Sequence, residues 1–209
     1  MATFPVAFPP LPSQQIASFD FFDLASGRAY KRFDAVGTNA TNAGTSYMLT
    51  TETLYGGTTS TYVESGSTEV NFDTSDFSYP LDVEGDCYIH VPNFIVNDTA
   101  TNPQTETAVV TVVVYHVDAA AAETSLGTDF YTNTASLSAG AYQYSDTLFK
   151  IALSKKHFAP GEKLRLSVTI NMTGGAGDCG FSYNPVGTVS VNTYQTSRLT
   201  VDIPFDSKT

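Results

Sequence analysis

The sequence has few basic residues for its length. Its 10 Lys and Arg residues are outnumbered by 21 Asp and Glu residues, which gives a formal net charge of −11 over 209 residues. A nucleic-acid-binding surface needs clustered Lys and Arg to neutralise phosphates. The densest basic group here is Arg28, Lys31 and Arg32, and acidic residues flank it. The composition therefore argues against direct binding to nucleic acid.

Long apolar runs are also missing. No segment approaches the roughly 18 apolar residues of a membrane span. The apolar N-terminus does not have the form of a secretory signal, because the first basic residue is Arg28 and prolines interrupt each apolar run. We expect a protein that is made in the cytoplasm and has no contact with a membrane.

Cysteine is scarce, and tryptophan is absent. The two cysteines, Cys87 and Cys179, form neither a CxxC pair nor a disulfide framework. We interpret them as small buried thiols. A disulfide between them stays open as an alternative, because the sequence does not fix the distance between their Cα atoms.

Motifs of catalysis and cofactor binding are missing as well. There is no GxSxG nucleophile elbow, and His90, His116 and His157 lack the spacing of metal ligands. The Gly-rich run at 174–177 is not followed by Lys-Ser/Thr, so it does not have the form of a phosphate-binding loop. These absences predict three unrelated structural histidines, no cofactor and a non-enzymatic protein.

Two groups of residues leave binding open. An acidic stretch offers oxygen ligands to calcium, and a solvated acidic loop is the alternative. A set of tyrosines at predicted strand ends or loops could stack on sugars, and packing in a core or an interface is the alternative. The acidic residues are Asp73, Asp76, Asp82, Glu84 and Asp86, and the tyrosines are Tyr47, Tyr55, Tyr62, Tyr131, Tyr142 and Tyr144.

Residues that favour β-strands dominate the rest of the chain. Ser, Thr, Val, Tyr and Phe are abundant, 42% of the residues are hydrophobic, and alternation with a period of two recurs. The Val-rich run at 109–114 predicts burial on both faces or a central strand, Pro92 predicts an edge strand or a strand with a break, and Ala119–Ala122 predicts a turn. Alternation from Leu164 to Ile170 predicts a strand with one buried face.

About ten to twelve short strands favour one all-β domain at residues 19–209, an antiparallel β-sandwich of the jelly-roll type. The predicted strands cover residues 16–22, 29–36, 46–54, 61–63, 68–72, 86–96, 107–118, 147–153, 163–172, 186–194 and 199–205.

Residues 1–18 differ from the rest because they are apolar and rich in proline. Proline fixes φ and removes a backbone donor, so we expect an extended arm rather than a helix or a central strand. The apolar side chains gain free energy only by lying on another surface. The expected partner-binding residues of this arm are Phe4, Val6, Phe8 and Leu11.

Two segments carry a resemblance to a known class of protein. Residues 18–33 (SFDFFDLASGRAYKRF) resemble a strand–turn–strand near the N-terminus of virion structural proteins of tailed bacteriophages. Residues 148–170, with FAPGEKLRLSV at 158–168, are similar to a late β-hairpin in such proteins. Together these segments cover about a fifth of the chain. The resemblance implies a capsid or tail component without enzymatic activity, and it assigns no functional residue.

The arm and the resemblance agree on assembly. We expect a structural component of a phage virion, either a decoration, cement or vertex protein of the head or a related tail component, that binds the major capsid protein or other virion subunits and forms a homo-oligomer. A receptor- or carbohydrate-binding β-sandwich module is the alternative function.

Overall fold

The computed structural model describes residues 28–37, 47–51, 62–65, 68–100, 103–183 and 199–206. Every regular element within these ranges is a β-strand, which confirms the all-β prediction. The predicted strands at 16–22 and 186–194 and the whole arm, including Phe4, Val6, Phe8 and Leu11, lie outside the described residues. No helix in the described ranges could span a membrane.

The described strands are numbered in chain order. They are β1 (Arg28–Gly37), β2 (Tyr47–Thr50), β3 (Tyr62–Ser65), β4 (Thr68–Asp73), β5 (Leu81–Val96), β6 (Gln104–Val117), β7 (Glu123–Leu137), β8 (Tyr142–Phe158), β9 (Lys163–Gly174), β10 (Asp178–Tyr183) and β11 (Thr200–Asp206).

The strands form one mixed sheet. One part has the order β8–β5–β11–β1, and β10 and β3 continue from β5 beyond the end of β11. The other part has the order β4–β9–β6–β7. Strand β2 joins the two parts, through an antiparallel ladder with β1 and a single parallel pairing of Met48 with Asp73 of β4. Hydrogen bonding thus defines one sheet, where the sequence predicted a sandwich of two antiparallel sheets.

The sheet curls into a half-barrel, because its two terminal strands come together. Strands β7 and β8 share no backbone ladder, yet the Asn133 amide of β7 donates to the Ser145 hydroxyl of β8 at 3.0 Å. Farther along the same two strands, a Cβ atom added at Gly127 of β7 would lie 2.4 Å from Ile151 Cγ2 of β8. Glycine at position 127 therefore lets β7 pass directly over the β8 side chains.

Both parts of the sheet turn one face toward a single core. Val110, Val112 and Val114 of β6 are fully buried, whereas Val109 and Val113 are half-buried. β6 is therefore a central strand between β7 and β9 with one fully buried face, and the prediction of burial on both faces is wrong. Opposite them lie the apolar side chains of β5, β8 and β11, among them Ile89, Phe149 and Val201. Leu164, Leu166, Val168 and Ile170 of β9 complete this layer with no exposed surface, so their alternation identified the buried face correctly.

Pro92 lies inside a paired strand rather than at an edge. β5 pairs with β8 along one side over its whole length. Along its other side it pairs with β11 as far as His90 and with β10 from Asn93 onward. Among the described strands, Pro92 lies between these two partners, which suits a residue that has no backbone N–H to donate. The predicted break is therefore a change of partner, and the edge-strand alternative is wrong.

Two further expectations concern the turn at Ala119–Ala122 and the cysteines. The Asp118 carboxylate accepts hydrogen bonds from the N–H groups of Ala120 and Ala122, at 2.9 and 2.8 Å, which closes the predicted turn. Cys87 and Cys179 are buried thiols, as interpreted from the sequence. Burial raises the pKa of both groups, that of Cys179 to about 12, so neither is a reactive thiolate at neutral pH.

Candidate functional site

The solvent-facing side of the β5–β8 pair gathers many of the residues that the sequence singled out. The two strands run antiparallel with a register that joins Leu81 to Phe158 and Val96 to Tyr142. Because successive side chains point to opposite faces, Phe149 and Ile151 enter the core while Leu148 and Lys150 face outward. We call this solvent-facing side the outer face.

One end of the outer face is aromatic. The Tyr142 and Tyr144 rings stack with centroids 5.8 Å apart and an interplanar angle of 10°. Both rings also lie against Phe94 of β5, at 6.0 and 6.1 Å. Tyr142 is nevertheless 54% exposed, whereas Phe94 beneath it is 9% exposed. We call Phe94, Tyr142 and Tyr144 the aromatic end.

The opposite end of the outer face carries pairs of opposite charge. Acidic residues of β5 face basic residues of β8: two carboxylates meet Lys ammonium groups and the third meets an imidazole. The contacts are Asp86–Lys150 at 2.8 Å, Glu84–Lys155 at 3.7 Å and Asp82–His157 at 2.6 Å. The hydrogen bond from Lys150 to Asp86 raises the pKa of the lysine. We call these six residues the ion-pair ladder.

Asp146, His90 and Leu148 separate the aromatic end from the ion-pair ladder. The Asp146 carboxylate lies 3.3 Å from His90 Nε2. Leu148 is 67% exposed, although it lies within a regular strand. The outer face thus changes from aromatic to charged along one pair of strands.

The acidic stretch proposed as a calcium ligand set is divided between strands. Asp82, Glu84 and Asp86 belong to the ion-pair ladder. Asp73 ends β4 and contacts Lys163 and Arg165 of β9. No group of three or more His, Cys, Asp or Glu side chains in the described ranges is arranged to hold a metal ion. The solvated-loop alternative is also incorrect for these four residues, because they lie on strands and face cations.

The surroundings of Asp73 stabilise its charged form. Burial by itself raises the pKa of this carboxyl, but hydrogen bonds and charges from Arg165 and Lys163 outweigh burial and lower it. Arg165 donates to both Asp73 oxygens and also contacts Glu123 of β7. This cluster therefore ties β4, β9 and β7 together on the side of the sheet opposite the core.

Each of the three histidines faces a different carboxylate. His90 lies beside Asp146 and His157 beside Asp82, both on the outer face. His116 of β6 is 4% exposed and contacts Glu162, with 2.8 Å between Nε2 and Oε2. The three histidines therefore do not share a site, as expected from their spacing.

The His116–Glu162 pair is a functional candidate that the sequence did not indicate. The two residues are 46 positions apart, and no local motif connects them. The hydrogen bond from His116 and another from the Ala159 N–H lower the pKa of Glu162. The imidazole edge packs on Phe158, with centroids 4.9 Å apart, and Nδ1 is buried without a hydrogen bond. Such a His–carboxylate pair is a common acid–base arrangement, and the burial of the ring limits its contact with solvent.

The Gly-rich loop after β9 encloses a carboxylate. Glu106 of β6 is fully buried, and its Oε2 accepts a hydrogen bond from the Gly177 N–H at 3.0 Å. A Cβ atom at Gly175 would lie 1.8 Å from this oxygen, and one at Gly177 would lie 2.0 Å from the Val96 carbonyl oxygen. Glycine at positions 175 and 177 therefore leaves space for the Glu106 carboxylate and the Val96 carbonyl oxygen.

The predicted sugar-binding tyrosines do not form one platform. Tyr142 and Tyr144 come together at the aromatic end. Tyr47 instead packs on Phe72 and Tyr183 at 5.5 and 5.6 Å, next to the core. Tyr131 lies on β7. Tyr55 and the side chain of Tyr62 lie outside the described structure.

Comparison with known proteins gives similarity in fold alone. No protein-family model matches the chain, and no curated protein does. Two hydrolases share this fold. A CocE/NonD family hydrolase from Staphylococcus aureus has a TM-score of 0.58 and 11% identity over 86% of this chain. An aminopeptidase from the marine sediment archaeon Thaumarchaeota archaeon has a TM-score of 0.58 and 8% identity over 87% of it.

In both comparisons this chain spans only 37% of the length of the hydrolase. A structure of infectious bursal disease virus, strain Gx, matches 96% of this chain and 40% of its own, with a TM-score of 0.30 and 10% identity. That score is too low to support a relationship.

The hydrolases correct the prediction of a non-enzymatic protein. That prediction depended on missing nucleophile and metal motifs and on the resemblance to virion proteins. The fold occurs in enzymes, so the absence of these motifs does not separate this chain from hydrolases.

Proposed function

We propose that this chain is a jelly-roll subunit of a virus particle and that it binds neighbouring subunits through its arm and its outer face. The observation that carries the proposal is the aromatic end: Tyr142 is 54% exposed on a strand pair whose other face is part of a complete core. Exposed aromatic groups of this kind are typical of protein interfaces.

The order of the strands supports the jelly-roll part of the proposal. The orders β1–β11–β5–β8 and β4–β9–β6–β7 each contain four strands. The first four of these strands along the chain alternate between the groups, with β1 and β5 in the first and β4 and β6 in the second. The next four alternate in the opposite order, with β7 and β9 in the second group and β8 and β11 in the first. This is the connectivity of two Greek keys wound together, which occurs in viral capsid domains and in lectins. The β2 bridge then closes one side of the jelly roll.

The sequence resemblance to phage virion proteins is the basis for the virion setting. The arm adds a physical reason, because its apolar side chains need a surface and its prolines lower the entropy lost on docking. The major capsid protein and further copies of this chain are the expected partners. Within the particle, we propose that the chain belongs to the phage head, with a tail component as the alternative.

Incorporation into particles tests the proposal. An affinity-tagged full chain is expressed alongside the native particles, and its copies per particle are counted by quantitative mass spectrometry. We expect a fixed copy number for the wild type and a loss of about tenfold or more for Tyr142→Ser, as for an interface hot spot. Tyr79→Ser is the matched control, because Tyr79 is 78% exposed and lies between β4 and β5. Absence of the wild-type chain from particles, or equal loss in both variants, would contradict the proposal.

A second candidate is that the chain serves as one part of a hydrolase. The similarity in fold to two such enzymes, over more than four-fifths of this chain, favours it. Ester and aminoacyl-anilide substrates test it directly, with His116→Gln as the variant. Turnover by the wild-type chain would establish an enzyme. Turnover that survives in His116→Gln would exclude the buried His116–Glu162 pair from the chemistry.

A carbohydrate-binding module is the remaining alternative. A glycan array separates it from the virion proposal, because a specific hit that Tyr142→Ser abolishes would assign the aromatic end to sugar binding.

A further inference from the structure

We propose that the aromatic end receives the Pro-rich arm, residues 1–12, of a second copy of this chain. This inference rests on the proposed function and names the partner of the outer face. The aromatic end on one copy and the arm on the next form a head-to-tail contact, which can propagate through an assembly or close into a ring.

The aromatic end presents stacked tyrosine rings on a regular strand. Tyr142 and Tyr144 are two residues apart on one face of β8, with their rings stacked on each other and tilted by 46° against Phe94. Stacked tyrosines on a rigid sheet form an aromatic step of the kind on which proline rings pack. Proline-rich segments in the polyproline conformation recognise aromatic-lined surfaces in this way, because little entropy remains to be lost.

The arm has a spacing of prolines and apolar residues that suits a polyproline helix. Its prolines are Pro5, Pro9, Pro10 and Pro12. In a polyproline helix, with three residues per turn, Pro9 and Pro12 lie on one edge and Phe8 and Leu11 lie on the next. One edge can therefore cover the tyrosines while the other packs Phe8 or Leu11 beside them. Leu148, which is 67% exposed, continues the same face of β8 beyond Asp146.

The arm and the aromatic end are both uncharged. Residues 1–19 contain no charged side chain, and Asp20 is the first. The aromatic end itself is uncharged, and its charged neighbour Asp146 already faces His90 at 3.3 Å. An uncharged arm can cover this surface without removing an unpaired charge from water, which would be costly.

The position of Arg28 in the sheet shows at which end β1 begins. Arg28 pairs with Asp206, which pairs with Asp82, so β1 begins at the ladder end of the sheet. From there β1 runs toward the aromatic end, parallel to β5. Arg28, the first described residue of β1, therefore lies at the end of the sheet opposite Phe94, about 40 Å away for 12 residues of strand.

That geometry favours a second copy over the arm's own surface. An arm that docked on the aromatic end of its own chain would have to reverse the direction that β1 takes and return along the sheet, whereas an arm that continues away from the sheet meets the next molecule. Twenty residues separate Phe8 from Arg28, and an extended chain of that length spans up to about 65 Å, enough to reach an adjacent molecule.

Photo-crosslinking in the full chain tests the inference. Benzoylphenylalanine replaces Phe8, and chains labelled with 14N and 15N are mixed before irradiation. We expect crosslinks from position 8 to residues 92–96 or 142–148, with mixed-isotope pairs among them. Tyr142→Ser is expected to lower their yield by about tenfold or more, and Tyr79→Ser to leave it unchanged. Circular dichroism shows whether each variant remains folded.

Three outcomes would overturn the inference. Crosslinks to other parts of the chain, or none, exclude the aromatic end as the receiving surface. If every crosslinked pair of peptides carries a single isotope label, the arm lies on its own chain. Equal yields in Tyr142→Ser and Tyr79→Ser remove the tyrosine from the contact. None of these results decides whether the chain enters particles, so the inference and the proposed function can fail separately.

Discussion

The two faces of the β5–β8 pair have the same backbone but different environments. On β8, Phe149 is 2% exposed, and its neighbour Leu148 is 67% exposed. The inner face joins a core built from almost every strand, whereas the outer face carries aromatic rings at one end and ion pairs at the other. The inner face therefore contributes buried apolar surface to the core, whereas the outer face is in contact with solvent.

The largest expected effect comes from opening the core on the inner face. Phe149→Ala should lower the free energy of unfolding by about 3–5 kcal/mol, because it removes buried apolar surface and leaves a cavity. Leu148→Ala, one residue away, should change it by less than about 0.5 kcal/mol. Urea unfolding of both variants measures the contrast. Similar losses in the two would show that the outer face also determines stability.

An intermediate effect is expected from the half-buried cluster around Asp73. Arg165→Gln should lower stability by about 1–2 kcal/mol at pH 7, because a charged hydrogen bond is lost from a site that keeps some solvent contact.

The dependence of this effect on pH has a defined sign. The folded protein lowers the pKa of Asp73, so the stabilisation is present above the ordinary aspartate pKa of about 3.9 and is lost as the pH falls through the lowered value. The difference between wild type and Arg165→Gln should therefore narrow below about pH 4. Denaturation curves from pH 7 to pH 2.5 measure it, and a constant difference would contradict the assignment.

The smallest effect is expected from the ion-pair ladder. Lys150→Gln removes an exposed partner of Asp86, and water and salt screen such pairs strongly. Any loss of thermal stability should be slight at low salt and should vanish in concentrated sodium chloride. A large loss that persists in salt would mean that the ladder contributes to the fold as well as to the surface.

Prediction from the sequence succeeded where one strand carries its own signal. The alternation in β9 and the valines of β6 identified buried faces, because each pattern reports the burial of its own strand. Strand β7 was missed between the Ala turn and residue 147. Its core-side positions include Gly127, Asp129 and Asn133, so it has little apolar periodicity, and it is a strand because it pairs with β6 along its whole length.

The candidate site could be predicted only in fragments. The tyrosines, the acidic stretch and His90 were each noted from the sequence, but their arrangement on one face depends on the register between β5 and β8. The basic residues of β8 that face the acids lie about 65 to 75 positions away in the chain, and no local pattern records that pairing. The His116–Glu162 contact was missed for the same reason.

The sequence by itself determined the fold class, the central strand, the turn at Ala119–Ala122 and the two buried thiols, because these depend on local propensity and on whether a side chain is apolar. Tertiary structure decided the strand order, the curl of the sheet, the partner change at Pro92 and the division of the outer face into two ends. Those features arise from pairing between distant segments, and alternation along one strand specifies which face is buried but not which strand lies beside it.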